Sequence, residues 1–199
     1  MKGKESYTLV TTGLQETWPK TNQKTVFLGK WCLMYVEKKK WSKYNFTIPS
    51  YHWDNREVLY NDYRNLNILY EIFLELVSKR LNEIHDKNYD KNFWRIIIGH
   101  WLGYFIQIIY DRWTTLNEVL KKYQIENIYV FEKHLKEVIP INFKDFKEKY
   151  GTDEWNEQIY KDIICHFKFG ININKINSTQ SIKYKKNFDF SKFFLYLID

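Results

Sequence analysis

Residues 7–12 read YTLVTT, and residues 25–29 read TVFLG. Both runs are short and rich in β-branched and aromatic side chains, which is typical of strands that are buried in a sheet. A polar stretch that contains Pro19 and Asn22 separates them. We therefore predict two buried strands near the start of the chain, and the loops that follow them are the first places to look for a site.

The clearest periodic pattern in the chain follows these strands. Between Arg56 and His85, apolar residues recur at intervals of three and four, and polar residues fill much of the opposite face. This pattern predicts one long amphipathic helix over the whole range. The spacing of Asp54 and Glu57 resembles a capping box at the start of this helix, with Asp54 as the capping residue.

Residues 93–110 read FWRIIIGHWLGYFIQIIY and raise the question of a membrane span. The segment is short for a span, and Arg95, His100 and Gln107 interrupt it. Polar and charged side chains are costly in the middle of a bilayer. We therefore predict a buried core helix that continues as an amphipathic stretch to Lys122.

The second half of the chain contains fewer clear elements. Residues 127–131, NIYVF, predict a third strand, and the apolar spacing over residues 155–167 predicts a final helix. After residue 170 the sequence shows no dependable period and ends in an aromatic strip. We therefore predict an N-terminal α/β lobe over residues 1–170 and a divergent or truncated tail over residues 171–199.

Composition limits the classes of function. A chain of 199 residues is long enough for one domain with a hydrophobic core. The formal net charge is +7, yet the lysines are scattered and mostly share segments with Asp or Glu. Because no basic stripe follows one face, we expect no nucleic-acid partner. Peripheral attraction to the anionic inner face of the cytoplasmic membrane stays open from the net charge alone.

Cysteine usage and the N-terminus indicate a compartment. Cys32 and Cys165 lie far apart, with no CxxC or Cys/His pairing, which argues against a zinc site and a disulfide framework. The chain starts without an apolar signal core, so we expect a cytoplasmic protein. The sequence contains no Walker loop, GxGxxG, HExxH, GxSxG or EF-hand motif, and we expect neither a metal nor a cofactor.

Candidate binding residues concentrate where the strands end and the first long helix begins. Trp, Arg and His are costly choices for ordinary loops, so their density there predicts a ligand site. Gly29 would supply either a positive φ or a close approach of the backbone. His52 and Arg56, at a helix N-terminus, would meet an anion, cap the helix or decorate its start. The predicted substrate-binding residues are Thr12, Glu16, Trp18, Gly29, Trp31, His52, Asp54, Arg56, Arg95 and His100.

Several of these residues have a plainer interpretation. Arg95 needs a partner inside an apolar segment, and that partner is either a carboxylate, which we favour, or an anionic ligand. Asp111 and Arg112 are adjacent and read as a self-contained surface pair. Cys32 could be a nucleophile, but no His or Asp lies at a recognisable spacing from it. Glu16 could be a general base, but a lone carboxylate in a polar loop is usually only solvated. The sequence therefore identifies no catalytic residue.

Four stretches together resemble a family of transferases associated with bacterial O-antigen and surface-carbohydrate gene clusters. They are LVTT at 9–12 with ETWP at 16–19, FLGKWC at 27–32, YHWDNR at 51–56, and WRIIIGHWLGYF at 94–105 with DRW at 111–113. They follow one another in order within residues 7–115, so the N-terminal part of the chain alone carries the resemblance.

The resemblance implies a GT-B-type glycosyltransferase, which is built from two Rossmann-like lobes. This chain would be a partial N-terminal lobe, helix-rich, with a short parallel sheet, that holds a sugar or glycan acceptor. A nucleotide-activated donor would bind only if a second lobe is present, because that lobe carries the donor site. The resemblance thus implies the acceptor-side portion of a transferase of surface-polysaccharide synthesis, inactive alone. A non-catalytic remnant or partner-binding α/β domain is the alternative.

Overall fold

A computed structural model of the protein describes residues 5–132 and 139–177. The aromatic strip at residues 188–197, near the end of the predicted tail, lies outside these residues.

The described residues form one five-stranded sheet in which every pair of neighbouring strands is parallel. The order across the sheet is β3-β2-β1-β4-β5. The strands are β1 (Ser6–Val10), β2 (Thr25–Phe27), β3 (Phe46–Thr47), β4 (Gln124–Phe131) and β5 (Asn172–Ile176). The predicted α/β class with a Rossmann-like sheet is confirmed, and the three predicted strands are present with slightly different ends.

Strand β1 lies at the centre of the sheet, where its apolar side chains pair with apolar side chains of both neighbouring strands. Leu9 pairs with Val26 of β2 on one side and with Ile128 of β4 on the other. All three side chains are almost fully buried. Strands that are buried on both faces read as continuous apolar runs, which is the pattern of YTLVTT and TVFLG.

Within the described ranges, five helices accompany the sheet. They are α1 (Lys38–Trp41), α2 (Arg56–His85), α3 (Lys91–Lys122), α4 (Phe143–Lys149) and α5 (Asp153–Phe167). Short 3₁₀ turns occupy Gln15–Thr17, Lys30–Leu33 and His52–Asp54. The bounds predicted for α2 are confirmed, and α3 and α5 contain the predicted helical segments.

The N-terminus of α2 differs from the prediction. The cap is Asn55, whose side-chain oxygen accepts hydrogen bonds from the main-chain N–H groups of Glu57 at 2.9 Å and Val58 at 3.4 Å. Asp54 belongs to the preceding 3₁₀ turn. The predicted capping box that starts at Asp54 is therefore wrong by one residue, and Asp54 is left available for other contacts.

Helices α2 and α3 form a long pair that packs beside the sheet. Leu66, Phe73 and Leu74 of α2 form a small apolar cluster with Leu102 and Ile106 of α3. Helix α3 also contributes to the main core, so it connects α2 to the sheet. Across the described ranges, no helix is both long enough and apolar enough to cross a membrane.

The main core lies where α3 and α5 pack against the central strands. Phe105 and Leu116 of α3 and Ile159 and Ile163 of α5 are buried there with the apolar residues of β1, β2 and β4. The two helices therefore hold fixed positions relative to the strands. Polar residues on α3 and at the start of α5 can consequently contribute to a site at the sheet.

The sheet continues beyond Gly170. Strand β5 pairs with β4 at five successive positions, from Asn127 with Asn172 to Phe131 with Ile176. Gly170 has a positive φ of 72°, which suits the turn that leads into the strand. The first residues of the segment that the sequence analysis assigned to a tail therefore belong to the sheet, and the residues after 177 lie outside the described part.

Candidate functional site

A cleft of about 1140 Å³ lies at the carboxyl ends of β1, β2 and β3. It is lined by residues that follow these strands, by two adjacent residues of α3 and by the N-terminus of α5. Open α/β sheets bind ligands outside the carboxyl ends of their strands. The cleft is also large enough for a small-molecule ligand, because such sites commonly enclose about 300–1,000 Å³.

One wall of the cleft is aromatic. The indole Nε1–H of Trp31 donates to the carbonyl oxygen of Thr11 at 3.0 Å, and the ring meets Tyr51 edge-to-face at a centroid distance of 6.4 Å. A Cβ on Gly29 would lie only 2.0 Å from the Trp31 ring. The glycine therefore permits the indole to lie against the backbone that follows β2, and the position of Trp31 is fixed.

A buried aspartate, Asp111, lies directly beside Tyr51 in the lining of the cleft. The hydroxyl of Tyr51 donates to its Oδ1 at 2.5 Å, and Nε2 of His52 lies 3.0 Å from the same oxygen. Arg112 pairs with Oδ2 and donates through Nε to Asn156 at 2.8 Å. The Asp111 carboxylate thus joins residues from the segment after β3 and from α3, and it orients Arg112.

The pKa values of Asp111 and Tyr51 follow from their contacts. Burial alone would raise the pKa of Asp111. A larger opposite effect comes from the hydrogen bond with His52, the charge of Arg112 and the hydrogen bond from Tyr51, so the pKa lies below its ordinary value. Burial, followed by the hydrogen bond to Asp111, raises the pKa of Tyr51. Asp111 is therefore ionised at neutral pH, and Tyr51 is a neutral donor.

His52 lies behind the cleft wall. Its side chain is 5% exposed, and its Nδ1 lies 3.9 Å from Oδ2 of Asp62. Asp62 in turn accepts hydrogen bonds from Trp53 at 2.9 Å and from Tyr110 at 2.7 Å. Burial, with this bond to Asp62, raises the pKa of Tyr110 to about 12. The turn with His52 and Trp53 thus fastens to α2 and α3, and His52 acts as a positioning residue for Asp111.

A second carboxylate lies at the start of α5. Asp153 lines the cleft, and its Oδ1 accepts the main-chain N–H of Gly13 at 3.0 Å. Burial raises the pKa of Asp153, and the charge of Glu154 adds to the rise, whereas the Gly13 hydrogen bond opposes it. A carboxylate with a raised pKa is a better proton acceptor than an ordinary surface carboxylate. Asp153 is the candidate general base of the cleft.

The carboxylates of the cleft do not form a metal cage. In the described ranges, no group of three or more His, Cys, Asp or Glu side chains is arranged to hold a metal ion. Asp54 and Glu154 line the cleft beside Asp153.

Three of the predicted binding residues line the cleft, and one lies behind it. Gly29, Trp31 and Asp54 belong to the lining, and His52 supports the wall through Asp111. The segments that follow β2 and β3 bring them together, as the strand-exit argument requires. Their contact with a ligand stays a prediction.

Four other predicted binding residues do not line the cleft. Thr12 is buried, and its carbonyl oxygen accepts the indole N–H of Trp18 at 3.2 Å. Trp18 packs against Phe27 in the core, so its polar group has a partner within the fold. Glu16 is exposed on a 3₁₀ turn, and Arg56 is exposed at the start of α2.

Arg95 and His100 lie on the helical pair, apart from the residues that line the cleft. Arg95 makes a bidentate pair with Glu71 of α2 at 2.6 and 2.9 Å, and this hydrogen-bonded pairing lowers the pKa of Glu71 to about 2. The carboxylate partner, which the sequence analysis favoured, is therefore present. His100 is exposed, stacks on Tyr104 at 5.3 Å and lies 5.1 Å from Phe143.

Sequence reasoning missed the polar centre of the cleft. Asp111 and Arg112 were expected to form a surface pair, but Asp111 is only 5% exposed. The available signal was an Asp-Arg pair that follows a strongly apolar run, where charged residues need partners. Tyr51 and Asn156 supply those partners from distant parts of the chain, and sequence spacing could not reveal them.

The parallel sheet and the cleft at its carboxyl edge define the class: a Rossmann-like α/β domain with a cleft where such sheets commonly bind ligands. The chain belongs to the LIC12162 family of transferases, which it matches over residues 7–195. The match extends beyond residue 115, where the resemblance seen in the sequence ended. Searches among curated proteins and among solved structures gave no match.

Proposed function

We propose that this transferase-family chain is the acceptor-binding lobe of a glycosyltransferase that acts in bacterial surface-polysaccharide or O-antigen synthesis. The observation that carries the proposal is the cleft whose lining brings the aromatic rings of Trp31 and Tyr51 together with hydrogen-bonding side chains. Family membership supports group transfer. In this proposal the reaction takes place at the cytoplasmic side of the membrane, and a second lobe of GT-B type supplies the activated donor.

An aromatic wall beside polar side chains suits a sugar. Aromatic rings present a large rigid apolar surface, which matches the C–H face of a pyranose, while hydroxyl groups need hydrogen-bond partners. Trp31 is held by Thr11, so it does not need to be ordered when a ligand binds. Asp54, Asp153 and Asn156 provide carboxylate and amide oxygens around the same space.

Asp153 is placed to serve the transfer reaction. In this proposal an acceptor hydroxyl attacks the anomeric carbon of the activated sugar, the bond from that carbon to the leaving phosphate breaks, and the hydroxyl proton passes to Asp153. The main-chain N–H of Gly13 fixes the carboxylate, and burial raises its pKa towards that of an effective base. Arg112, oriented by Asp111 and Asn156, completes the polar lining of the cleft.

The experiment that tests the proposal is a titration of the full chain with a panel of unmodified monosaccharides and disaccharides. The readout is the indole N–H resonance of Trp31 in ¹H–¹⁵N spectra, assigned with Trp31→Phe. We expect a saturable shift of this resonance with sugar in the wild type and a higher dissociation constant in Asp153→Asn. Tyr60→Ala is the control, because Tyr60 is exposed on α2. Sugar shifts confined to residues around His100 would contradict the proposal.

A further inference from the structure

The charge of the cleft is opposite in sign to that of the chain. Among the described residues, two basic side chains line it, Lys30 and Arg112, in a protein with a formal net charge of +7. Four acidic side chains line the same space: Asp54, Asp111, Asp153 and Glu154. Because low-dielectric walls focus the field of such groups, the cleft repels anions even though the molecule as a whole attracts them.

The more buried of the two cations, Arg112, and the carboxylate of Asp111 neutralise each other. The charge preference of the cleft therefore rests on Lys30, Asp54 and Asp153. Arg112 pairs with Asp111 and donates to Asn156, so much of its hydrogen-bonding capacity is used within the protein. Lys30 is exposed and carries its charge on a flexible side chain. Neither cation therefore forms the kind of fixed pair of donors that commonly binds a phosphate or a sugar carboxylate.

One acidic group of the cleft, Asp153, is fixed in place. Asp153 accepts a hydrogen bond from the uncharged main-chain N–H of Gly13, so this bond orients the carboxylate without cancelling its charge. Asp153 lies at the start of α5, and Asp54 lines the same cleft. An anionic ligand group placed there would meet repulsion from both.

We infer that the cleft selects sugars without negative charge and that the residue bound there is a neutral or amine-bearing sugar rather than a phosphorylated or acidic one. The sugar part of this inference rests on the proposed function, but the charge preference does not. Carboxylates accept hydrogen bonds from sugar hydroxyls and pair with a sugar ammonium group. The cleft thereby takes the acceptor and leaves the nucleotide phosphates of a donor to be bound elsewhere.

The first test compares three probes that share one skeleton: glucose, protonated glucosamine and glucuronate. Dissociation constants are measured on the full chain at low ionic strength, from the Trp31 indole resonance. We expect glucosamine to bind at least as tightly as glucose and glucuronate about tenfold more weakly or worse. Asp153→Asn reduces this discrimination, and Glu126→Gln, an exposed change on β4, leaves it unaltered. Tighter binding of glucuronate at Trp31 overturns the inference and leaves sugar binding intact.

The second test measures the charge of the cleft without a sugar. The fluorescence of Trp31, taken as the difference between the wild type and Trp31→Phe, is quenched with caesium, iodide and acrylamide. We expect caesium to quench it more effectively than iodide when each is normalised to acrylamide, and Asp153→Asn to reduce the difference. Preferential quenching by iodide overturns the inference. If no sugar moves Trp31 while caesium is preferred, the proposed function fails and the charge preference stands.

Discussion

At the scale of single residues, Glu157 on α5 shows how burial sets a proton equilibrium. It is 2% exposed and accepts the main-chain N–H of Phe131 at 2.9 Å. Burial raises its pKa from 4.5 to about 7, although the Phe131 hydrogen bond opposes the rise. The folded chain therefore retains a proton that the unfolded chain releases. Glu157 therefore makes the free energy of unfolding fall as pH rises from 4.5 to about 7, and this free energy stays lower above that range.

Glu157→Gln removes this charge but keeps an oxygen that accepts the Phe131 hydrogen bond. We expect the variant to raise the free energy of unfolding by about 1–3 kcal/mol at alkaline pH and to change it little below about pH 4. Urea unfolding of the two proteins across this range measures the difference. Glu126→Gln on the exposed side of β4 is the control. An equal gain at both ends of the pH range would show that the charge of Glu157 is not the cause.

Gly29 is the residue on which the aromatic wall depends. Ala at this position would place Cβ 2.0 Å from the Trp31 ring, so the indole must leave its place. We expect Gly29→Ala to destabilise the protein by about 1–3 kcal/mol and to change the Trp31 indole resonance. Gly103→Ala is the matched control, because its Cβ would make ordinary contact with Tyr70 and Ala favours a helix interior. An unchanged free energy of unfolding in Gly29→Ala would contradict the close contact between Gly29 and the Trp31 ring.

At the scale of elements, two adjacent residues at the start of α2, Asp54 and Asn55, have different roles. Asn55 caps the helix, whereas Asp54 lines the cleft. We expect Asn55→Ala to lower the free energy of unfolding by about 0.5–2 kcal/mol, because two main-chain N–H groups lose their acceptor. Asp54→Ala should change stability much less. Thermal and urea unfolding of the two variants measures this contrast, and the reverse order would restore Asp54 as the cap.

The elements that the sequence predicted well are those whose stabilising contacts are local or repeat regularly. Helix α2 repeats an apolar spacing over 30 residues, and its bounds followed from that pattern alone. Strand β3 has two residues, Phe46 and Thr47, too few for any period to appear. Strand β5, with the sequence NINKI, is polar and partly exposed, and its place in the sheet comes from pairing with β4. Neither strand was predictable from its own residues.

The same distinction holds for the cleft. Strand exits predicted that Gly29, Trp31 and Asp54 would lie near a site, because parallel strands bring their carboxyl ends to one edge. Asp111 could not be recognised in this way, since it lies within a helix and its partner Tyr51 is 60 residues away in sequence. Trp18 does not line the cleft for the opposite reason: its indole N–H donates to the nearby Thr12 carbonyl, and the ring joins the core.

At the scale of the whole molecule, strand β5 decides where the α/β unit ends. A domain boundary at residue 170, as the sequence predicted, would separate β5 from the sheet. In the structure β5 pairs with β4 at five positions. Pairing of this kind protects main-chain N–H groups from exchange, although an edge strand has a neighbour on one side only. The central strands β1 and β4 should therefore exchange most slowly, and β5 should be slower than an exposed turn.

Hydrogen exchange followed by mass spectrometry measures this directly on the full chain. We expect a peptide that covers residues 171–177 to exchange at least about a hundredfold more slowly than an unprotected segment. The exposed turn at residues 20–22 serves as the internal reference. Addition of low urea should open β5 before β1, because β1 is held on both sides. Exchange of residues 172–176 at the unprotected rate, with β4 still protected, would instead place the end of the unit near residue 170.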